Sequence, residues 1–276
     1  MSATTVLSHD RGLRTVWTKT LREQRRTLIW WAVAIGLVVL MYCTFYPSIR
    51  SNAAQFNQYM RNLPEAVRNM LGGSNIASPE GYLTSEIFSF MGPILLLVYA
   101  IGAGARAIAG EEDARTLDLL LSTPVRRGRV VSDKFVAMTI GTFVMAATAW
   151  IVTAVAGPGF ELKVSFEGLT AAYLNLFLLG LGFGAIALAV GAATGSKTLS
   201  IGVASGLALL TYLLKTFASV VSWLHPYRLL SPFHYYTGHE PLLNGFTPLD
   251  PIVLASISVV ALGVALLAFA ERDLAT

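Results

Sequence analysis

The chain has 276 residues, 54% of them hydrophobic and 13% charged, with a net charge of +4. Soluble domains carry about 25% charged residues, and apolar runs of the roughly 20 residues needed to cross a bilayer recur along this sequence. The composition therefore excludes an ordinary soluble globule. The single cysteine, Cys43, excludes an intrachain disulfide and a thiolate metal cluster.

Residues 1–27 read as an amphipathic helix on the membrane surface. Leu13, Val16, Trp17 and Leu21 recur at helical spacing, and Arg11, Arg14, Lys19, Arg22, Arg25 and Arg26 crowd the other side. No small-residue cleavage site follows the next apolar run, so this segment is expected to stay attached rather than act as a signal peptide.

The remainder, 28–276, reads as one transmembrane domain of six helices, at about residues 28–46, 85–109, 135–156, 169–194, 199–221 and 251–270. Trp30, Trp31 and Tyr46 border the first span as an aromatic belt. Between the first two spans a helix is expected from Pro64 to Gly72–Gly73, followed by a turn at Ser78–Gly81. Gly180, Gly182, Gly184, Gly191 and Gly195 in the fourth span, with Gly202 and Gly206 in the fifth, predict close packing of those two helices. Residues 222–249 form an aromatic, proline-rich connection before the last span. The fold class is all-α, a membrane protein.

Gly110–Lys134 is the longest charged interruption between two apolar segments. Glu111, Glu112 and Asp113 suit a helix start, and the arginines beyond Pro124 suit its end. Glu111 can pair with Arg115 at i,i+4, and Leu117, Leu120 and Leu121 share one face. Two readings stand: a short helix offering a leucine ridge to a partner's groove, or a charged loop whose leucines rest on the membrane interface.

With both termini assigned to the cytoplasm, 14 of the 20 Lys and Arg fall inside: six before the first span, then Arg106, Arg115, Arg126, Arg127, Arg129, Lys134, Lys197 and Arg272. Cytoplasmic segments carry such an excess. The positive charge thus reports topology, and the lipid bilayer rather than nucleic acid is the expected partner.

Three near-motifs carry no chemistry. Gly191–Thr198 resembles a phosphate-binding loop, but Ser196 stands where glycine must precede the lysine, and no strand leads into it. It reads as a tight turn, and this chain is expected to bind no nucleotide. Glu111-Glu112-Asp113-Ala114-Arg115 nearly matches the Glu-Glu-x-x-x-Arg signature of CAAX-type intramembrane proteases. The histidines at 225, 234 and 239 lie across the membrane from it, about 30 Å away. With Glu240 those histidines match no established zinc spacing. No catalytic, cofactor or metal residue is expected. Asn175 and Lys215 are polar groups within spans, hence pathway candidates by default, and Lys215 is also placed to snorkel.

The run Ala109-Gly-Glu-Glu-Asp-Ala-Arg-Thr-Leu-Asp-Leu-Leu-Leu-Ser-Thr-Pro124, followed by basic residues and Asp133-Lys134, resembles the coupling helix of the type-2 ABC exporter permeases. Leu229-Leu-Ser-Pro-Phe-His-Tyr-Tyr236 resembles that family's segment before the last span, and Ala114-Arg115 departs from it where glycine is commonest. The resemblance implies an interfacial helix, six spans and an outer loop with short helices. It implies a non-catalytic permease that pairs with a second copy or a related permease and docks on separate P-loop ABC ATPase subunits, which hold the ATP and magnesium. Glu111, Glu112, Arg115, Leu117, Leu120 and Leu121 would make that dock. Asn175, Lys215, Tyr235 and Tyr236 would line the substrate pathway or its exit, and the cargo would be a hydrophobic or amphiphilic drug, antibiotic or lipid. An ion-gradient transporter, a membrane subunit serving metallo-enzyme maturation and a membrane-anchored sensor or assembly factor are the alternatives. Few acidic residues in the spans and no visible inverted repeat weigh against the first.

Overall fold

The computed structural model describes residues 16–52, 55, 58, 62–64, 78–113, 127–219 and 221–272. Six of its helices are long and apolar enough to cross a membrane. The first, α1 (Val16–Ser51), begins among arginines and runs on as an apolar helix. No break separates the basic segment from the first span, because from Val16 onward no glycine occurs before Gly36 and no proline before Pro47. The expected boundary at residue 28 thus falls inside one continuous helix, and residues 1–15 lie outside the described residues. Tyr46 is also placed differently from the expected aromatic belt: it is buried against Tyr82, with ring centroids 5.1 Å apart.

The second span, α2 (Pro79–Ala107), starts six residues earlier than the hydropathy implies. Ser78 caps it by accepting from the Gly81 N–H at 3.1 Å, and Pro79 occupies the first turn, where its missing N–H costs nothing. The expected turn at 78–81 is thus a helix start. Within α2, Thr84–Met91 is a π-helical stretch that ends just before Pro93. The proline already interrupts the α-ladder there, so a wider turn fits at little extra cost. The helix expected from Pro64 to Gly73 lies almost wholly outside the described residues.

A short helix, α3 (Ala109–Asp113), follows α2. Then come α4 (Arg127–Ala156), which ends in a 3₁₀ turn at Gly157–Phe160, and α5 (Phe166–Thr194), capped by Ser165. Gly195 adopts φ +67° and ends α5, and Ser196 caps α6 (Lys197–Ala218). The near-phosphate-loop sequence is therefore the end of one helix, a two-residue turn and the start of the next. A 3₁₀ helix (Ser222–Leu230), α7 (Pro232–Thr237), α8 (Pro241–Asn244) and the last span α9 (Leu249–Glu271) complete the chain. Among the described residues there is no strand.

Helix α5 is the centre of the bundle, in contact with α2, α4, α6 and α9, while α1 packs chiefly on α4 and exposes most of its surface. The glycines explain this, and they serve more than the one partner expected: a Cβ on Gly191 would come within 3.0 Å of the Ser200 hydroxyl oxygen of α6, as the packing of the fourth span on the fifth requires. A Cβ built on Gly104 of α2 would overlap the Gly184 carbonyl oxygen of α5, and one on Gly180 would strike Leu96 at 2.8 Å. The fourth span thus also crosses the second closely, backbone against backbone at Gly104 and Gly184. Gly202 and Gly206 of α6 have nothing within 4 Å and face outward.

Candidate functional site

One end of the bundle holds a connected cluster of charged residues. Lys134, on the first turns of α4, is almost wholly buried, ion-paired with Glu111 of α3 and donating to the Thr20 hydroxyl of α1 at 3.2 Å. A buried ammonium keeps its charge only with such partners. Glu112, the next residue, takes the Arg272 guanidinium as a fork, at 2.6 and 3.0 Å. Arg127 donates to the Arg272 carbonyl at 2.8 Å, and Arg129 pairs with Asp133 one turn on, at 3.3 Å. A polar cavity of about 550 Å³ opens beside Lys134, lined by Thr20, Glu23, Arg106, Asp113 and Lys197. Of the residues expected to dock a partner, Glu111 and Glu112 are therefore engaged inside the chain. Arg115, Leu117, Leu120 and Leu121 lie outside the described residues.

At the opposite end, three of the four expected pathway residues fasten the connection between α6 and α9. The Asn175 amide of α5 donates to the Tyr236 carbonyl at 3.5 Å, and the Lys215 ammonium of α6 donates to the Thr237 hydroxyl at 2.9 Å. Both spend their polar groups on α7. Tyr236 is buried and Phe233 packs on Phe183 and Tyr212, so α7 is wedged between the spans. This differs from the expectation that the tyrosine pair faces a substrate: Tyr236 is core, and only Tyr235 is half-exposed. Burial raises the Tyr236 hydroxyl well above its ordinary value.

His239 meets the buried carboxylate of Asp250 at 2.8 Å, and His225 meets Arg228 at 3.0 Å. Among the described residues no cluster of three His, Cys, Asp or Glu is placed to hold a metal. His234 is held below its usual value by burial first, then by its neighbours Arg228 and His239, with a smaller push from Lys215; Asp250 acts against them.

Between α2 and α6 runs an apolar groove of about 480 Å³, lined by Phe90, Ile94, Val98, Ile201, Leu209 and Tyr212. Its walls are exposed large hydrophobics, and Gly202 and Gly206 sit beside it with nothing over them. Gly202 and Gly206 stood out in the sequence, but the apolar side chains lining the groove did not, because they look like any lipid-facing residues. The sequence marked Arg272 only as one of the cytoplasmic cations, since it stands just beyond an apolar run with no motif around it.

A comparison with curated proteins finds no match. The family model described as "ABC-2 family transporter protein" matches residues 14–274.

Proposed function

This chain belongs to the ABC-2 family of transporter proteins, and we propose that it is the permease subunit of an ATP-driven exporter that works as a pair. It is a multi-pass membrane protein, and its family pairs generally with ABC ATPase subunits. In the proposed arrangement the charged end faces the cytoplasm and the 114–126 connection docks on the ATPase through Leu117, Leu120 and Leu121. ATP and magnesium are held by that ATPase, and closure of two such ATPases re-packs the spans between two states.

The observation that carries the pairing is the α2–α6 groove. A second copy laid over it would turn an open apolar cleft into the wall of a shared path between the two subunits. The apolar lining suits a hydrophobic or amphiphilic cargo such as a drug, antibiotic or lipid. Asn175, Lys215 and Tyr236 then act by holding α7 as a cap, and Tyr235 remains placed to meet a cargo. Leu120→Asp in the full chain should abolish co-purification with a coexpressed ABC ATPase while membrane insertion persists. An ATPase that still binds this variant would sink the docking role of the ridge.

A further inference from the structure

We propose that Arg272 is a positioning residue that ties Glu112 of α3 and Arg127, the first residue of α4, to the last span, so that a displacement of α3 and of the start of α4 is delivered to α9. This rests on the permease reading above. The side chain of Arg272 holds Glu112, on α3, and its backbone carbonyl holds Arg127, at the start of α4. The two anchors are fifteen positions apart in sequence and meet at one residue. The same guanidinium reaches the Ala192 carbonyl at 3.5 Å, which adds the end of α5 to the knot.

Three features make the knot stiff. The fork is bidentate and charge-assisted, the strongest class of side-chain hydrogen bond, and its two side chains are 19% and 32% exposed. Gly195 lies directly over it: a Cβ there would overlap the Arg272 guanidinium and crowd the Glu112 carboxylate, so the α5–α6 turn carries no side chain where the fork passes. Beneath lies a buried apolar cluster that includes Ile108, Val131, Leu188, Ala192 and Phe269, contributed by the same elements.

Helix α9 leads from this knot to the cap. Its 23 residues span about 35 Å, it packs on α5, α4 and α7, and its first turn carries Asp250, the partner of His239. A displacement at Arg272 is therefore passed along a packed rod to the element that closes the opposite end. Packed interfaces of this kind switch between discrete arrangements more readily than they deform.

The test uses the full chain with its ABC ATPase in nanodiscs, on a Cys43→Ala background. Spin labels at Lys163→Cys and Leu249→Cys, both at the cap end, report distance, with labelled copies diluted by unlabelled ones. The parent should shift its label distance when ATP is trapped on the ATPase. Arg272→Gln should lose the shift although the ATPase stays bound and hydrolyses ATP, and the exchange Glu112→Arg with Arg272→Glu should restore it. Arg272→Lys, which keeps the charge and loses the fork, should reduce the shift and covers the case in which Arg272→Gln does not fold. A full shift in Arg272→Gln or in Arg272→Lys overturns the proposal and leaves the permease reading standing. A parent that binds no ATPase, or binds it and shows no shift, overturns the permease reading and this proposal together.

Discussion

Lys134 shows how a single residue couples three elements. Its ammonium is nearly out of solvent, yet it touches α1 through Thr20 and α3 through Glu111. Removing one member of a buried pair leaves the other charge uncompensated, which costs more than the pair itself contributes. Glu111→Gln should therefore lower the stability of the chain in detergent by about 3 kcal/mol. Glu111→Gln with Lys134→Met should recover most of that loss, since no charge is then stranded. Thermal unfolding of the three proteins measures both, and a double variant no better than the single would refute the account. Gly104 makes the complementary point about size. A methyl group there meets the backbone of α5, which has no rotamer with which to yield.

Among the elements, α7 has the most distinctive environment. It is six residues long and cannot persist as a helix alone. What holds it is Ser231, which accepts from the Phe233 N–H at 3.2 Å and donates to the Thr211 carbonyl at 2.7 Å, together with Lys215, Asn175 and the buried Phe233 and Tyr236. His234 lies on this element with its proton affinity depressed. The sign follows directly. The unfolded chain binds a proton at the ordinary histidine value, about 6.5, while the folded chain resists it until a lower pH. The stability associated with neutral His234 is thus complete above that ordinary value and is lost as pH falls below it. Backbone amides of residues 231–245 should exchange faster at about pH 5.5 than the chemical rate alone accounts for, relative to about pH 7.5. His234→Gln should remove the excess, and an excess that survives the substitution would assign the effect elsewhere.

For the molecule as a whole, the open question is what covers the outward face of α6. Helix α5 needs no further partner, being enclosed by α2, α4, α6 and α9. Helix α6 exposes Ile201, Leu209 and Leu210, and its Gly202 and Gly206 meet nothing. Small residues at that spacing let two helix backbones approach closely, which agrees with the proposed pairing. Ser205→Cys on a Cys43→Ala background should form a disulfide-linked dimer on mild oxidation in membranes. Val259→Cys, on the exposed face of α9, should not. Equal cross-linking from both sites would show random encounter in the bilayer and defeat the pairing through α6.

The number of spans and the family resemblance were both legible in the sequence. Each rests on local properties: an apolar run long enough to cross a bilayer, a glycine or serine that ends or starts a helix, and a charged interruption with a proline stop. The turn at Gly195–Ser196 was readable for the same reason, since the left-handed residue and the capping hydroxyl are neighbours in the chain. Which helices touch was not readable, because a glycine marks a thin place on a helix without naming what fills it. The five glycines of the fourth span suited the fifth equally well, and only the bundle turned Gly184 toward Gly104. Likewise, Glu111 and Glu112 looked like solvent-facing docking residues until Lys134 and Arg272, distant in sequence, came within reach of them. Asn175 and Lys215 looked like pathway groups until α7 folded back to take their hydrogen bonds. Polar side chains within a membrane bundle are satisfied by whatever the tertiary structure brings to them, and that choice is not written near them in the chain.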